Sequence, residues 1–193
     1  EDDYDSEFRF TGRPIPTLFS IDEAQRVIYL NTFSKTIAPS IRISYMVLPD
    51  KLVEVFHREL GFYSCTVSNF EQYTLARFIR GGYFEKHINR MRNCYRKRRE
   101  ALLHAMKAGG LFRHADLIER GSGLHFLLHF HTDKDDGALQ QEFAQKGIRM
   151  RPLRDYYVGT ADGAAHTFVL NYSGMEESCL EEAIARIVSC LEA

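Results

Sequence analysis

Thr32-Phe33-Ser34-Lys35-Thr36-Ile37-Ala38-Pro39-Ser40-Ile41-Arg42-Ile43-Ser44-Tyr45 is the stretch on which the reading of this 193-residue chain turns. It sets a lysine among hydroxyls, between the apolar runs Val27-Ile28-Tyr29-Leu30 and Ile43-Ser44-Tyr45-Met46-Val47-Leu48. Short apolar runs bounded by turn residues are expected to be buried strands, which puts the lysine in the connection between them. An amine there can form an imine with an aldehyde, and partial desolvation would ready it as nucleophile and base. Arg42, seven residues beyond Lys35, offers a planar fork of donors that suits a dianionic phosphate, and the neighbouring hydroxyls add to such a cradle. Ser-Lys-Thr alone is ordinary for a polar surface loop. The longer string carries the chemistry.

The acidic opening, Glu1-Asp2-Asp3-Tyr4-Asp5-Ser6-Glu7, would by itself be a solvated run of charge. If it is extended, Asp2 and Tyr4 emerge on one face while Asp3, Asp5 and Glu7 face away. A carboxylate and a phenol on one face offer a hydrogen-bond acceptor and a hydroxyl to one ligand.

The string T-F-S-K-T-x-A-P-S-x-R-I resembles the lysine motif of fold-type I, pyridoxal-phosphate-dependent aminotransferases, in the form found in MocR-type regulators of the GntR superfamily. The segment E-D-D-Y-D-S-E-F-R-F resembles the matching MocR segment. Further likeness runs through Gln72, the pattern H-x-x-R-M-R-x-x-Y-x-x-R-R from His87 to Arg99, and Gly123-Leu124-His125, so essentially the whole chain is covered. The resemblance implies an α/β fold of the fold-type I aminotransferase-like kind. This chain would supply part of the large domain and the small C-terminal α+β domain. It implies pyridoxal 5'-phosphate held as a Schiff base on Lys35, the catalytic position, with Arg42, Thr32 and Ser34 at the phosphate. Asp2 would face the ring nitrogen and Tyr4 the phenolic oxygen. It further implies the effector domain of a transcriptional regulator, a homodimer, an amino acid or amine as effector, and DNA bound through an N-terminal module outside this chain. The alternative it leaves open is an authentic aminotransferase, in which Lys35 moves the proton during amino-group transfer. An opening at Glu1, without an initiator methionine, fits a piece of a longer chain.

One departure concerns the substrate carboxylate. Aminotransferases place an arginine for it in the late strand spelled here Thr167-Phe168-Val169-Leu170-Asn171-Tyr172, and Val169 falls at that position. Arg151 and Arg154, in R-M-R-P-L-R-D-Y-Y, are the candidates to replace it. Ser44 stands where many relatives have glycine, a change between small residues.

Hydrophobic residues at 45% and charged residues at 26% are ordinary globular usage and argue against disorder. A net charge of −1 removes the overall basic footprint of a free-standing nucleic-acid-binding domain. Cys65, Cys94, Cys179 and Cys190 lack C-x-x-C spacing and are expected to be reduced thiols of a cytoplasmic protein. Nothing approaches a membrane span or a signal peptide. The basic run Arg90, Arg92, Arg96, Lys97, Arg98, Arg99 invites a nucleic-acid reading, but at helical spacing it splits among several faces, and an ion-paired or solvated helix is expected. His125, His129 and His131 alternate as a strand would, without a carboxylate or cysteine at ligand spacing, so no metal is expected.

Residues 12–16, Gly-Arg-Pro-Ile-Pro, read as a connector. Helices are expected over 51–60, 69–80 and 83–108, the last closed by Gly109-Gly110. The domain division is placed there, giving 1–109 and 110–193. Beyond it the pattern predicts a strand over 123–130 and a helix over 137–146 capped from the Asp133–Asp136 cluster. A strand over 167–172 and a helix over 175–191 follow, the latter with Leu180, Ile184, Ile187 and Leu191 on one face.

Overall fold

The structure is a computed structural model and describes residues 1–10, 15–119, 123–160 and 163–192; the connector read at residues 12–16 lies largely outside them. The chain forms two compact units, Glu1–Arg92 and Asn93–Ala193.

The first unit holds a short helix α1 (Leu18–Ile21), strand β1 (Tyr29–Thr32), a one-turn helix α2 (Phe33–Thr36), strand β2 (Ser44–Val47), and helices α3 (Asp50–Leu60) and α4 (Asn69–Arg80). Helix α5 (Tyr83–Ala108) begins in this unit and runs on into the second. β1 and β2 pair antiparallel, with Tyr29 opposite Val47 and Thr32 opposite Ser44. The strand before the lysine thus starts two residues later than its apolar run and ends on Thr32.

The expectation that both strands are buried does not hold. Leu30, Tyr45, Met46 and Val47 are exposed, and β2 has no buried residue. The two-stranded sheet has no described layer closing over these side chains. Helices α3 and α4 likewise bury nothing fully, although α4 is properly started by Ser68, whose Oγ accepts from Glu71 N. Amphipathic spacing, with a cap on α4, forms these helices locally; it does not supply a core.

The core lies in the second unit. Four strands, β3 (Ala115–Ile118), β4 (His125–Phe130), β5 (Arg151–Pro152) and β6 (Thr167–Asn171), form an antiparallel sheet in the order β3-β4-β6-β5. Helices α6 (Asp136–Gln145) and α7 (Leu180–Leu191) complete the α+β unit. Alternation along β4 buries Phe126, Leu128 and Phe130. Phe130, Phe143 of α6 and Phe168 of β6 meet with ring centroids 5.5–5.7 Å apart. Burying such a ring stabilises by about 1.5–3 kcal/mol, and tilted contacts add to that. On α7, Leu180, Ile184, Ile187 and Val188 are buried at helical spacing, while Leu191 is half-buried. The expected start of that helix at residue 175 is corrected to Leu180, because a 3-10 turn over Glu177–Cys179 precedes it. The cap of α6 is Asp135, whose carboxylate accepts from Gly137 N.

Strands β3 and β5 were not foreseen. β3 has four residues at a sheet edge, and β5 has two, one of them a proline, which an edge position tolerates. At the end of α5, a Cβ on Gly109 would lie 2.6 Å from Ile184 Cγ2, and Gly110 has φ +74°. One glycine permits close helix packing and the other the left-handed turn.

The basic run of α5 is largely engaged inside the chain. Arg92 Nε donates to Glu7 O, Arg98 to Ser173 O, and Arg99 makes a two-pronged pair with Glu119 at 2.6 Å for each bond. Arg96 donates to Asn93 Oδ1. Because Arg99 and Glu119 are mostly buried, removing one partner strands the other. Arg99→Met is expected to cost about 2–3 kcal/mol in urea unfolding, with Arg99→Met/Glu119→Leu costing less than the sum of the single changes.

Candidate functional site

Lys35 sits on α2, whose start is fixed by Thr32: its Oγ1 accepts from Ser34 N at 3.2 Å and donates to Ile43 O at 3.3 Å. Ser34 Oγ donates to Ile41 O at 2.5 Å and accepts from Arg42 Nη1 at 3.2 Å. Phe33 N donates to Ile43 O and Ile41 N to Ala38 O, which closes residues 33–43 at the neck. The hydroxyls of the motif therefore first shape the turn that presents the lysine. Thr36, beside Lys35, is buried, whereas Lys35 and Arg42 are exposed. Neither cation has an ion pair with a carboxylate among the described residues. Arg42 uses one donor on Ser34 and keeps the rest of its fork.

The acidic opening reaches this turn through β1. Leu30 N donates to Glu1 O and Asp3 N to Leu30 O, so residues 1–3 run parallel to β1, with Asp2 bridged to Leu30. Side chains alternate: Asp2 and Tyr4 are exposed, while Glu1, Asp3, Asp5 and Glu7 are partly covered. The extended stretch ends near Asp3; Phe8 N bonds back to Asp5 O, so a turn follows Tyr4.

The covered face is a polar network that the motif did not reveal. Tyr29 Oη donates to Asp3 Oδ2 at 3.0 Å and accepts from Asn31 Nδ2 at 2.9 Å. Asn31, 4% exposed, also reaches Glu7 Oε1 at 3.5 Å, and its Oδ1 accepts from Thr32 N. Their i, i+2 spacing on β1, beside odd-numbered carboxylates, was the available signal. Burial pushes the Tyr29 phenol up, and burial, then the nearby acidic charges, raise the Glu7 carboxyl.

Helix α4 and the segment after Lys35 border two open cavities of about 310 Å³ each. Ile37, Ile41, Ile43, Phe70, Leu75 and Phe78 line one; Ile43, Tyr45, Cys65, Gln72, Leu75 and Ile79 line the other. Gln72 Nε2 donates to Val67 O.

Arg151 and Arg154 belong to the second unit. Arg151, exposed on β5, is the register partner of Val169 on β6, so both side chains leave the same face of the sheet. Arg154 Nη1 lies 3.6 Å from Oδ2 of the buried Asp136 and 3.8 Å from Asp135. His129 contacts Thr167 and His131 contacts Asp116; among the described residues no cluster of three or more histidines, cysteines or acids is placed to hold a metal.

The chain thus combines a lysine turn whose two cations have no carboxylate partner among the described residues, an acidic strand laid beside that turn and an antiparallel α+β unit downstream. Residues 5–187 match the family described as aminotransferase class I and II, and the chain belongs to that family. It is 40% identical over 97% of its length to the uncharacterized HTH-type transcriptional regulator YdeL of Bacillus subtilis, covering 40% of that protein. It is 34% identical over 95% of its length to the probable rhizopine catabolism regulatory protein MocR of Rhizobium meliloti, covering 37% of it. The MocR-type likeness read from the lysine motif therefore holds along nearly the whole chain. Among solved structures, kynurenine aminotransferase from Pyrococcus horikoshii, in complex with PMP, matches with a TM-score of 0.82 and 28% identity, covering 100% of this chain and 47% of that one. The fold is that of a fold-type I aminotransferase. The chain spans about two fifths of the length of these curated relatives and about half of the enzyme.

Glu7 is partly buried, and its Oε2 has no hydrogen-bond partner among the described residues. Its folded pKa is raised above 4.5, so its favourable contribution is present below the unfolded value and lost as pH rises through the folded one. Glu7→Gln is expected to raise Tm in thermal melts of the intact protein at pH 7, with the gain vanishing near about pH 4.

Proposed function

We propose that this chain is the cofactor-binding part of a MocR-type transcriptional regulator, holding pyridoxal 5'-phosphate covalently on Lys35. The observation that carries the reading is the closed turn of residues 33–43, which presents Lys35 and Arg42 with no carboxylate among the described residues to neutralise them. An anionic aldehyde fits that donor set: an amine to bond the carbonyl carbon and a guanidinium fork to grip a phosphate.

Thr32 and Ser34 support the phosphate side, both through their oxygens and by fixing the turn. Asp2 and Tyr4 take the ring nitrogen and phenolic oxygen, consistent with the exposure of both. The bound group would supply an electron-withdrawing ring to an attached amine. Lys35 then holds or releases a proton at Nζ as that amine exchanges with it.

The proposed effector is an amino acid or amine. For an effector carboxylate, Arg151 is favoured over Arg154. It stands opposite Val169 without a carboxylate partner among the described residues, whereas Arg154 is occupied by Asp135 and Asp136. In domain terms, residues 1–109 belong to the large cofactor-binding domain and 110–193 to the small one. DNA binding belongs to a module outside this chain, as in relatives named HTH-type regulators.

A homodimer would cover exposed aromatic side chains such as Phe62, Tyr63, Phe70 and Tyr73. No helix among the described residues is long and apolar enough to cross a membrane, and the proposed location is the cytoplasm. The structural likeness to kynurenine aminotransferase supports a second reading, an authentic aminotransferase using the same lysine.

Full-length protein is expected to develop a visible absorption band with pyridoxal phosphate, absent in Lys35→Ala and requiring roughly tenfold more cofactor in Arg42→Gln. A band that survives Lys35→Ala defeats the assignment. Sequence-specific DNA binding that changes with cofactor or amine supports the regulator; many turnovers of amino transfer without DNA binding establish the enzyme instead.

A further inference from the structure

A cofactor site built from Asp2 on one segment and Lys35 on another works only if the two segments keep one register. Side chains alternate along an extended strand, so a slip of one residue would turn Asp2 from the exposed face to the covered one. The backbone bonds from Leu30 N to Glu1 O and from Asp3 N to Leu30 O set the correct pairing. Three such residues at a sheet edge are a short grip, and end segments fray readily.

Side chains on the other face of β1 add what the backbone lacks. Tyr29 Oη reaches Asp3 Oδ2, Ser6 Oγ reaches the same oxygen at 2.9 Å, and Asn31 links Tyr29 Oη to Glu7. Asn31 also accepts from Thr32 N, and Thr32 caps the lysine helix. One continuous chain of hydrogen bonds therefore runs from the inward carboxylates of the acidic segment to the base of the Lys35 turn.

We infer that Tyr29 and Asn31 are positioning residues which lock the acidic strand against β1, so that Asp2 and Tyr4 face the ligand in register with Lys35. They touch no ligand in this assignment; they act through Asp3, Glu7 and Thr32. The inference rests on the cofactor reading proposed above and adds two residues to it. It also gives the acidic run a division of labour: Asp3 and Glu7 anchor, and Asp2 and Tyr4 present.

The test uses full-length protein and pyridoxal phosphate, comparing wild type with Tyr29→Phe, Asn31→Leu, Asp3→Ala and Asp3→Asn. Three readouts are taken: hydrogen exchange of the Asp3 and Leu30 amides without cofactor, the cofactor dissociation constant, and the pH midpoint of the visible band. Tyr29→Phe, Asn31→Leu and Asp3→Ala are expected to speed exchange at both amides, weaken cofactor binding about tenfold and move the midpoint. Asp3→Asn keeps an acceptor for the Tyr29 hydroxyl and is expected to stay near wild type.

If the variants lower Tm while affinity and midpoint stay unchanged, the residues are merely structural and the inference is overturned, with the Lys35 assignment intact. If wild type shows no band, the cofactor reading fails and takes this inference with it. Should Asn31→Leu not fold, Tyr29→Phe, which removes one hydroxyl, decides the matter.

Discussion

Asp3 N donates to Leu30 O, Leu30 N donates to Glu1 O, and between them these two bonds determine which face of the acidic opening is covered. Everything at the candidate site follows from that pairing. It puts Asp2 beside Leu30, five residues before Lys35, and turns Asp3 toward Tyr29. It brings the Glu1 carboxylate to the first amides of α1, where Leu18 N and Phe19 N donate to it. A run of negative charge that would repel itself in water is thereby divided between capping, networking and display.

The two units differ in how they are stabilised. The second buries a contiguous set of phenylalanines and aliphatics between sheet and helices, as an α+β layer should. The first, among its described residues, buries only Phe8 and Ile88 as large hydrophobics and relies on capped helices and a polar network. It exposes Phe70 at 80% and Phe62 at 75%. Apolar surface of that size gains free energy from being covered, by about 25 cal/mol per Å². The proposed homodimer is a natural cover.

What could be read from the sequence depended on how local its cause was. Helices α3, α4 and α5 were legible within one residue, because capping residues, periodicity and the Gly109-Gly110 stop are written next to them. β3 and β5 were not, because a strand of four residues or two exists only through its partners in the sheet. Burial of β1 and β2 was misjudged for a related reason: apolar composition says that a strand should be covered, not that the covering lies within this chain. At the site, Lys35 and Arg42 stood out through a long contiguous motif. Tyr29 and Asn31 did not, since their role arises from contact with residues about 25 positions earlier.

The departure at Val169 bears on what kind of protein retains such a lysine turn. Catalysis requires interactions that strengthen in the transition state, which in amino transfer means holding the substrate's Cα–H bond at a fixed angle to the ring. A carboxylate anchor on a rigid central strand serves that end. β6 pairs with both β4 and β5 and so is such a strand, yet it carries valine there; the nearby cation, Arg151, stands on two-residue β5 at the sheet edge. A sensor has a weaker requirement, because it needs only to bind its ligand more tightly in one conformational state than in the other. As the proposed effector anchor, Arg151 on a short edge strand fits differential binding better than repeated, tightly oriented chemistry. The closed Lys35 turn, already ordered by its own hydroxyls, serves either use, so it is the place of Arg151 opposite Val169 that supports the proposed regulatory reading over the enzymatic one.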